Sequence, residues 1–277
     1  MEGLKGLKVG FLGCGAMGAS IARALIERAG VAPQSVVLYD RLAEAREGLA
    51  AALGARAAGS ETEVAREADV IVLATKPHDV TVALGLIEWP SEARTLVSIA
   101  AGVDTEQLRE RVPSGVRVAR AMPNVAALVG AGITGVLRHH DPEVMAQVEA
   151  VFASCGEVVT IEKERDFGAV TALSGSGPAY VFVAIEALAD GGVLMGLSRP
   201  LAQKLALHTV LGAATLALHE GVHPADLKDR VASPGGTTIH GLAALERAGF
   251  RGALIDAVEA ATQRSEALGA QGRDRRK

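Results

Sequence analysis

Through the first 160 residues, short β-branched runs alternate with amphipathic stretches of helical period. The short runs predict strands over 8–12, 35–40, 69–74, 95–99, 116–121, 132–137 and 157–161. Between them the 3.6-residue period predicts helices, among them 16–29, 42–53, 105–111 and 142–154. Strands that alternate with helices need crossover connections. The expectation is therefore a mostly parallel sheet covered on both faces.

The pattern changes near Glu162, and no convincing strand follows. Residues 169–173 are expected to lead through a glycine turn into a long helix over 178–195. Pro200 suits the first turn of a helix reaching about His219, and Pro224 opens a shorter one. Helices over 237–248 and 252–268 complete an all-helical half, and the charged tail 272–277 is expected to fray. The 178–195 stretch is apolar on nearly all sides and is expected to be buried. Glu186, Asp190 and the Gly191-Gly192 pair within it argue against a membrane span. A domain of 115 residues buries only part of such surface by itself. The helices are therefore expected to pack against a second subunit.

Composition narrows the class. Of the 277 residues 49% are hydrophobic and 22% charged, the balance of a folded chain. With 3% aromatics, the core must be aliphatic. A net charge of −4 argues against nucleic-acid binding. Cys14 and Cys155 are too far apart in sequence to suggest a disulfide framework, and the seven histidines show no metal spacing. Residues 1–8 contain no apolar run of signal-peptide length. A cytoplasmic protein without a metal is expected.

The strongest chemical signal is a glycine loop. Gly13, Gly15 and Gly18, with Cys14, Ala16 and Met17 between them, fit G-x-G-x-x-G between a strand and a helix. In that context Gly13 serves the tight turn, and Gly15 lets backbone approach a pyrophosphate. Gly18 lets the helix lie close on the strand. The helix N-terminus then offers N–H groups to phosphates. Cys14 reads as a small buried residue rather than a reactive thiol. Asp40 ends the second strand, where a carboxylate accepts from a ribose 2′-hydroxyl and favours NAD. Arg41 beside it suits the 2′-phosphate of NADP, so the cofactor stays open between the two. The fold class is α/β: an N-terminal Rossmann-like dinucleotide-binding domain over 1–162 and a C-terminal all-α domain over 163–277.

Further candidates follow the later strands. Thr75, Lys76 and Pro77 stand at the carboxyl edge of the sheet, where ligands bind. Lys76 is expected to face the cofactor or a substrate carboxylate. Small residues at 98–102, Ala100 among them, leave room for a nicotinamide ring. Asn124 either bonds a cofactor amide or ribose, or caps the turn after it. Two glycine turns in the helical half, Ser174 to Tyr180 around Ser176 and Ser233 to Thr238, bring hydroxyls and N–H groups to helix N-termini. That arrangement suits a small carboxylate, although plain capping by Ser and Thr gives the same pattern.

Taken together, these motifs resemble the pyrroline-5-carboxylate reductase family over nearly the whole chain. The residues that carry the resemblance are the loop at 13–18, Lys76-Pro77, 98–103, 120–124 and 175–180. The most specific is Leu227-Lys228-Asp229 followed by 233–238. The resemblance implies reduction of L-Δ1-pyrroline-5-carboxylate to L-proline by NADPH or NADH. It implies a homodimer through the C-terminal helices, often assembled into a decamer. By position, Thr238 would hydrogen-bond the substrate's ring nitrogen and act as the catalytic residue. Ser233 and the amides of Gly236, Thr237 and Thr238 would hold its carboxylate. Met17, Ala74, Lys76, Pro77 and Ala100 would line the cofactor, with Glu164 a weaker candidate. Arg230 and the Asp40–Arg41 pair depart from the family pattern. A 3-hydroxyacid dehydrogenase would place a lysine on the long helix, and residues 176–195 contain none. A non-catalytic dinucleotide sensor would have no need of the 233–238 loop.

Overall fold

The computed structural model describes Leu4 and residues 6–274. The chain forms two compact units. One runs to Ser176 and takes up the chain again from Ala260, and the other is Gly177–Glu259.

The first unit is built on an eight-stranded sheet of order β3-β2-β1-β4-β5-β6-β7-β8. Its strands are β1 (Val9–Leu12), β2 (Val36–Tyr39), β3 (Arg56–Ala57), β4 (Val70–Leu73), β5 (Thr95–Ser98), β6 (Arg117–Met122), β7 (Gly132–Leu137) and β8 (Gly156–Ile161). Pairing is parallel except between β6 and β7, so β7 and β8 run against the other six. The main helices are α1 (Ala16–Glu27), α2 (Ala43–Leu53), α3 (Glu61–Glu67), α4 (Val80–Gly85), α5 (Thr105–Arg109) and α6 (Pro142–Ala153). From β1 the chain moves to β2 on one side and later returns to β4 on the other. The loops after β1 and β4 thus face a topological switch point, the crevice where such sheets take ligands.

Alternation along the strands divides the core between the two faces. Val9 and Phe11 of β1 join Val70 and Val72 of β4 beneath Ile21, Leu25 and Phe152. Leu12, Ile71 and Leu73 point the other way, among Val64, Leu84, Leu96 and Leu108. Both sets are nearly all aliphatic.

The second unit contains α8 (Gly177–Leu194), α9 (Arg199–Glu220), α10 (Pro224–Val231), α11 (Thr237–Arg247) and the first part of α12 (Phe250–Asp274). α8 and α9 close on small residues, with Ala189, Ala202 and Ala206 buried between them. The chain by itself covers these apolar helices only in part, as expected of a half that packs against a second subunit: Phe182 is 62% exposed, Leu194 85% and Leu218, on α9, 86%. These helices have small residues facing one another and large ones facing outward, so a chain alone cannot cover them.

One expectation is corrected here: the glycine turn before α8 is absent. The backbone continues helically from α7 (Phe167–Val170) through a wide, π-type turn (Thr171–Gly175) into α8. Thr171 and Ser174 hydroxyls donate to the carbonyls of Phe167 and Val170, and the Ser176 amide donates to the Thr171 carbonyl at 2.8 Å. Side chains that read as turn formers are used here to bond back within the helix. At the end of the chain, α12 continues to Asp274, into the tail expected to fray, and residues 275–277 lie outside the described residues.

Candidate active site

The glycine loop joins β1 to α1 at the switch point. Gly13 adopts φ +109°, open to glycine alone among ordinary residues, and a Cβ there would lie 2.7 Å from the Ala74 carbonyl oxygen. A Cβ on Gly18 would lie 2.2 Å from the Gly13 carbonyl oxygen. Gly15 differs: its missing Cβ faces open space. It occupies the N-cap of α1, which has no side-chain cap and no acidic residue in its first turn. The helix end therefore keeps donors and a positive dipole end for an anion. These are the features a pyrophosphate requires, and the residues present fit a dinucleotide.

Beside the loop lies a cavity of about 370 Å³. It brings together Gly13, Gly15, Asp40, Arg41, Ala74 and Lys76, all expected from the sequence. Asp40 is held rigidly. Its Oδ2 accepts from the Cys14 amide at 2.8 Å and its Oδ1 from the Leu42 amide at 2.9 Å. Burial first, and the Asp40 charge second, push the Cys14 thiol up to about 12, so it stays protonated and unreactive. The Arg41 side chain is 77% exposed at the rim, with Nη1 3.7 Å from Asp79 Oδ1. Ala16, Met17 and Gly18 form the first turn of α1, and Pro77 opens the single turn carrying Asp79. Sequence reasoning missed Tyr39, Glu61 and Asp79 on this cavity. Glu61 is buried, and no motif marks any of the three.

Other expected residues are placed elsewhere. Ala100 is buried after β5, its amide donating to Ser98 Oγ at 3.2 Å. Asn124 uses both ends of its amide inside the protein. Its Nδ2 donates to the Ser174 carbonyl at 3.1 Å, and its Oδ1 accepts from the Ile133 amide at 3.3 Å. It thereby braces the π-type turn against β7 and makes no capping bond to the turn after it. The Glu164 carboxylate receives Arg120 Nη1 at 2.5 Å and Thr105 Oγ1 at 2.6 Å, while the Arg120 guanidinium stacks 4.3 Å from the Phe167 ring centre. Ser176, with right-handed helical backbone angles, is the last residue of the first unit and stands directly before α8.

The 233–238 loop lies in the second unit. Gly235 takes φ +67°, and Gly236 is the N-cap of α11. Thr237 and Thr238 form its first turn, again without a side-chain cap or an acidic residue. The Gly236 amide donates to the Ser233 carbonyl at 3.1 Å. A Cβ on Gly236 would fall 2.3 Å from Ser233 Oγ, so the hydroxyl lies over the glycine. His240, unmarked by any motif, buttresses the turn through Nδ1 at 2.9 Å from the Gly236 carbonyl oxygen. Arg230, nearby on α10, pairs with Glu220 at 3.1 Å. The arrangement can receive a small carboxylate on backbone N–H groups and present a hydroxyl beside it.

Comparison with known proteins agrees with both halves. Residues 8–102 match the family model described as NADP oxidoreductase, coenzyme F420-dependent, and residues 164–268 match pyrroline-5-carboxylate reductase dimerisation. Over 265 residues the chain is 42% identical to a pyrroline-5-carboxylate reductase of Synechocystis, covering 95% of this chain and 98% of that one. A crystal structure of a pyrroline-5-carboxylate reductase from Coxiella burnetii superposes with a TM-score of 0.87 at 31% identity, covering 95% and 98% of the two chains. One from Plasmodium falciparum, with NADP bound, gives 0.84 at 34% identity, with the same coverage.

Proposed function

The chain belongs to the pyrroline-5-carboxylate reductase family, and we propose the residues through which it carries out that reaction, reduction of Δ1-pyrroline-5-carboxylate to proline with NAD(P)H. When bound, the reduced dinucleotide supplies the hydride. Gly13, Gly15, Ala16, Met17 and Gly18 hold its pyrophosphate, and Asp40 and Arg41 frame its ribose end. Ala74, Lys76, Pro77, Ala100 and Asn124 border or brace the remainder. The substrate carboxylate is taken by Ser233 and the amides of Thr237 and Thr238, close over Gly236, whose own amide is held by the Ser233 carbonyl, with Ser176 a further contact. Thr238 bonds the ring nitrogen, orients it and relays a proton.

This division of labour suits a cyclic imine. Protonation at nitrogen makes the neighbouring carbon electrophilic, so the protein needs no strong acid of its own. Its main contribution is to hold the ring face against the hydride donor. The observation that carries the assignment is the uncapped, acid-free N-terminus of α11 with Thr237 and Thr238 in its first turn.

The two functional domains are 1–162 for the dinucleotide and 163–277 for substrate and assembly. The match to a dimerisation family supports oligomerisation. The oligomer is built on a homodimer through the C-terminal helices. By length and composition, residues 164–194 and 199–220 would each be apolar enough to cross a membrane. Glu186 and Asp190, within the first of these, suit a protein neighbour better than lipid. The protein works in the cytoplasm, without nucleic-acid or membrane partners. Oxidation of NADPH and of NADH, followed in parallel with pyrroline-5-carboxylate added, tests the reaction. Fast oxidation with either is expected. No oxidation in folded protein that binds the dinucleotide would overturn it.

A further inference from the structure

The ribose end of the dinucleotide cavity carries an acidic residue whose position has no local structural use. Asp79 stands at the N-cap of α4, where an aspartate ordinarily accepts from the first-turn amides, yet it makes no capping bond. Its carboxylate instead faces the rim, 3.7 Å from Arg41 Nη1 and 3.6 Å from His78 Nε2. Arg41 and Asp79 both line the cavity, one after β2 and the other after β4, so their contact spans its mouth. Asp40, by contrast, is fixed by two backbone amides. Arg41, with its side chain 77% exposed, is free to move.

We propose that Asp79 is a specificity-determining residue that competes with the cofactor's 2′-phosphate for Arg41 and so biases the site toward NADH. The inference rests on this cavity being the dinucleotide site. A 2′-phosphate draws Arg41 away from Asp79 and sits within reach of that carboxylate, so it meets both competition and repulsion. A 2′-hydroxyl demands neither and leaves the Arg41–Asp79 pair in place. The pair is exposed, so the discrimination it gives is modest, about fivefold.

Calorimetric titration of the full-length protein with NADPH and with NADH, without substrate, tests this. For Asp79→Asn, the Kd for NADPH is expected to fall about fivefold more than that for NADH. In an Arg41→Ala background, the same Asp79→Asn change is expected to lose most of that preference. An equal shift for both cofactors, or a preference that persists without Arg41, would overturn the role of Asp79. Absence of binding by either cofactor in the unaltered protein would instead overturn the reading of the cavity itself.

Discussion

Asp40 holds Cys14 across 26 residues of sequence, its Oδ2 taking the Cys14 amide at 2.8 Å in the middle of the glycine loop. A carboxylate at the end of β2 therefore supports the loop, whatever it offers the ribose. Asp40→Ala is expected to weaken NADPH and NADH alike, by about tenfold, because a hydrogen bond to a charged group is lost from the loop that both share. Fluorescence titration with each cofactor checks this. Loss confined to NADH would make Asp40 a ribose ligand first.

Gly18 has no room for a side chain. Gly18→Ala places a Cβ 2.2 Å from the Gly13 carbonyl oxygen, a backbone atom that cannot swing aside. The variant is expected to lose about 1–3 kcal/mol of stability and most of its cofactor affinity. Thermal unfolding with and without NADPH reads both. An unchanged melting temperature would refute the close packing of α1 on the loop.

Thr238 stands in the first turn of α11, half-buried and without a capping duty. Thr238→Ala is expected to keep fold and dinucleotide affinity while kcat falls about a hundredfold. Thr238→Ser, which keeps the hydroxyl, recovers much of the loss. Steady-state kinetics beside a cofactor titration separates the two effects, and full turnover in the alanine variant would remove Thr238 from the chemistry.

Asp141 caps α6 through the Glu143 amide at 2.9 Å, and that bond, with Arg117 nearby, holds its carboxyl below the usual carboxylate value of 3.8. A depressed folded value means the stabilisation is full above the unfolded value and is lost as pH falls through the folded one. Between about pH 5 and pH 3, the melting temperature of the unaltered protein is therefore expected to fall more steeply than that of Asp141→Ala. Parallel slopes in calorimetry would contradict this.

Much of the sheet was legible because its strands are short, mostly apolar runs set between helical stretches, as in Val9–Leu12 and Val70–Leu73. β3 escaped because two residues, Arg56–Ala57, carry no period. Ser174, Gly175 and Ser176 read as a turn because their propensities are local. The bonds that keep them helical depend on Thr171 and on the Asn124 brace, 50 residues away from Ser174 in the chain. The glycine loop was legible because its three glycines recur at fixed spacing within six residues, even though Ala74 across the sheet helps to impose Gly13. Asp79 and Glu61 were not, because adjacency across a sheet edge leaves no spacing to read. The need of α8 and α9 for a second subunit was legible from a helix apolar on every side, but which of its side chains face outward was not.

Those outward side chains have a thermodynamic corollary. Where Phe182, Leu194 and Leu218 are covered only by association, folding and assembly share one equilibrium. The unfolding midpoint should then rise with protein concentration, and dilution should act as a denaturant. The cell's expression level for this chain thereby becomes a term in its stability.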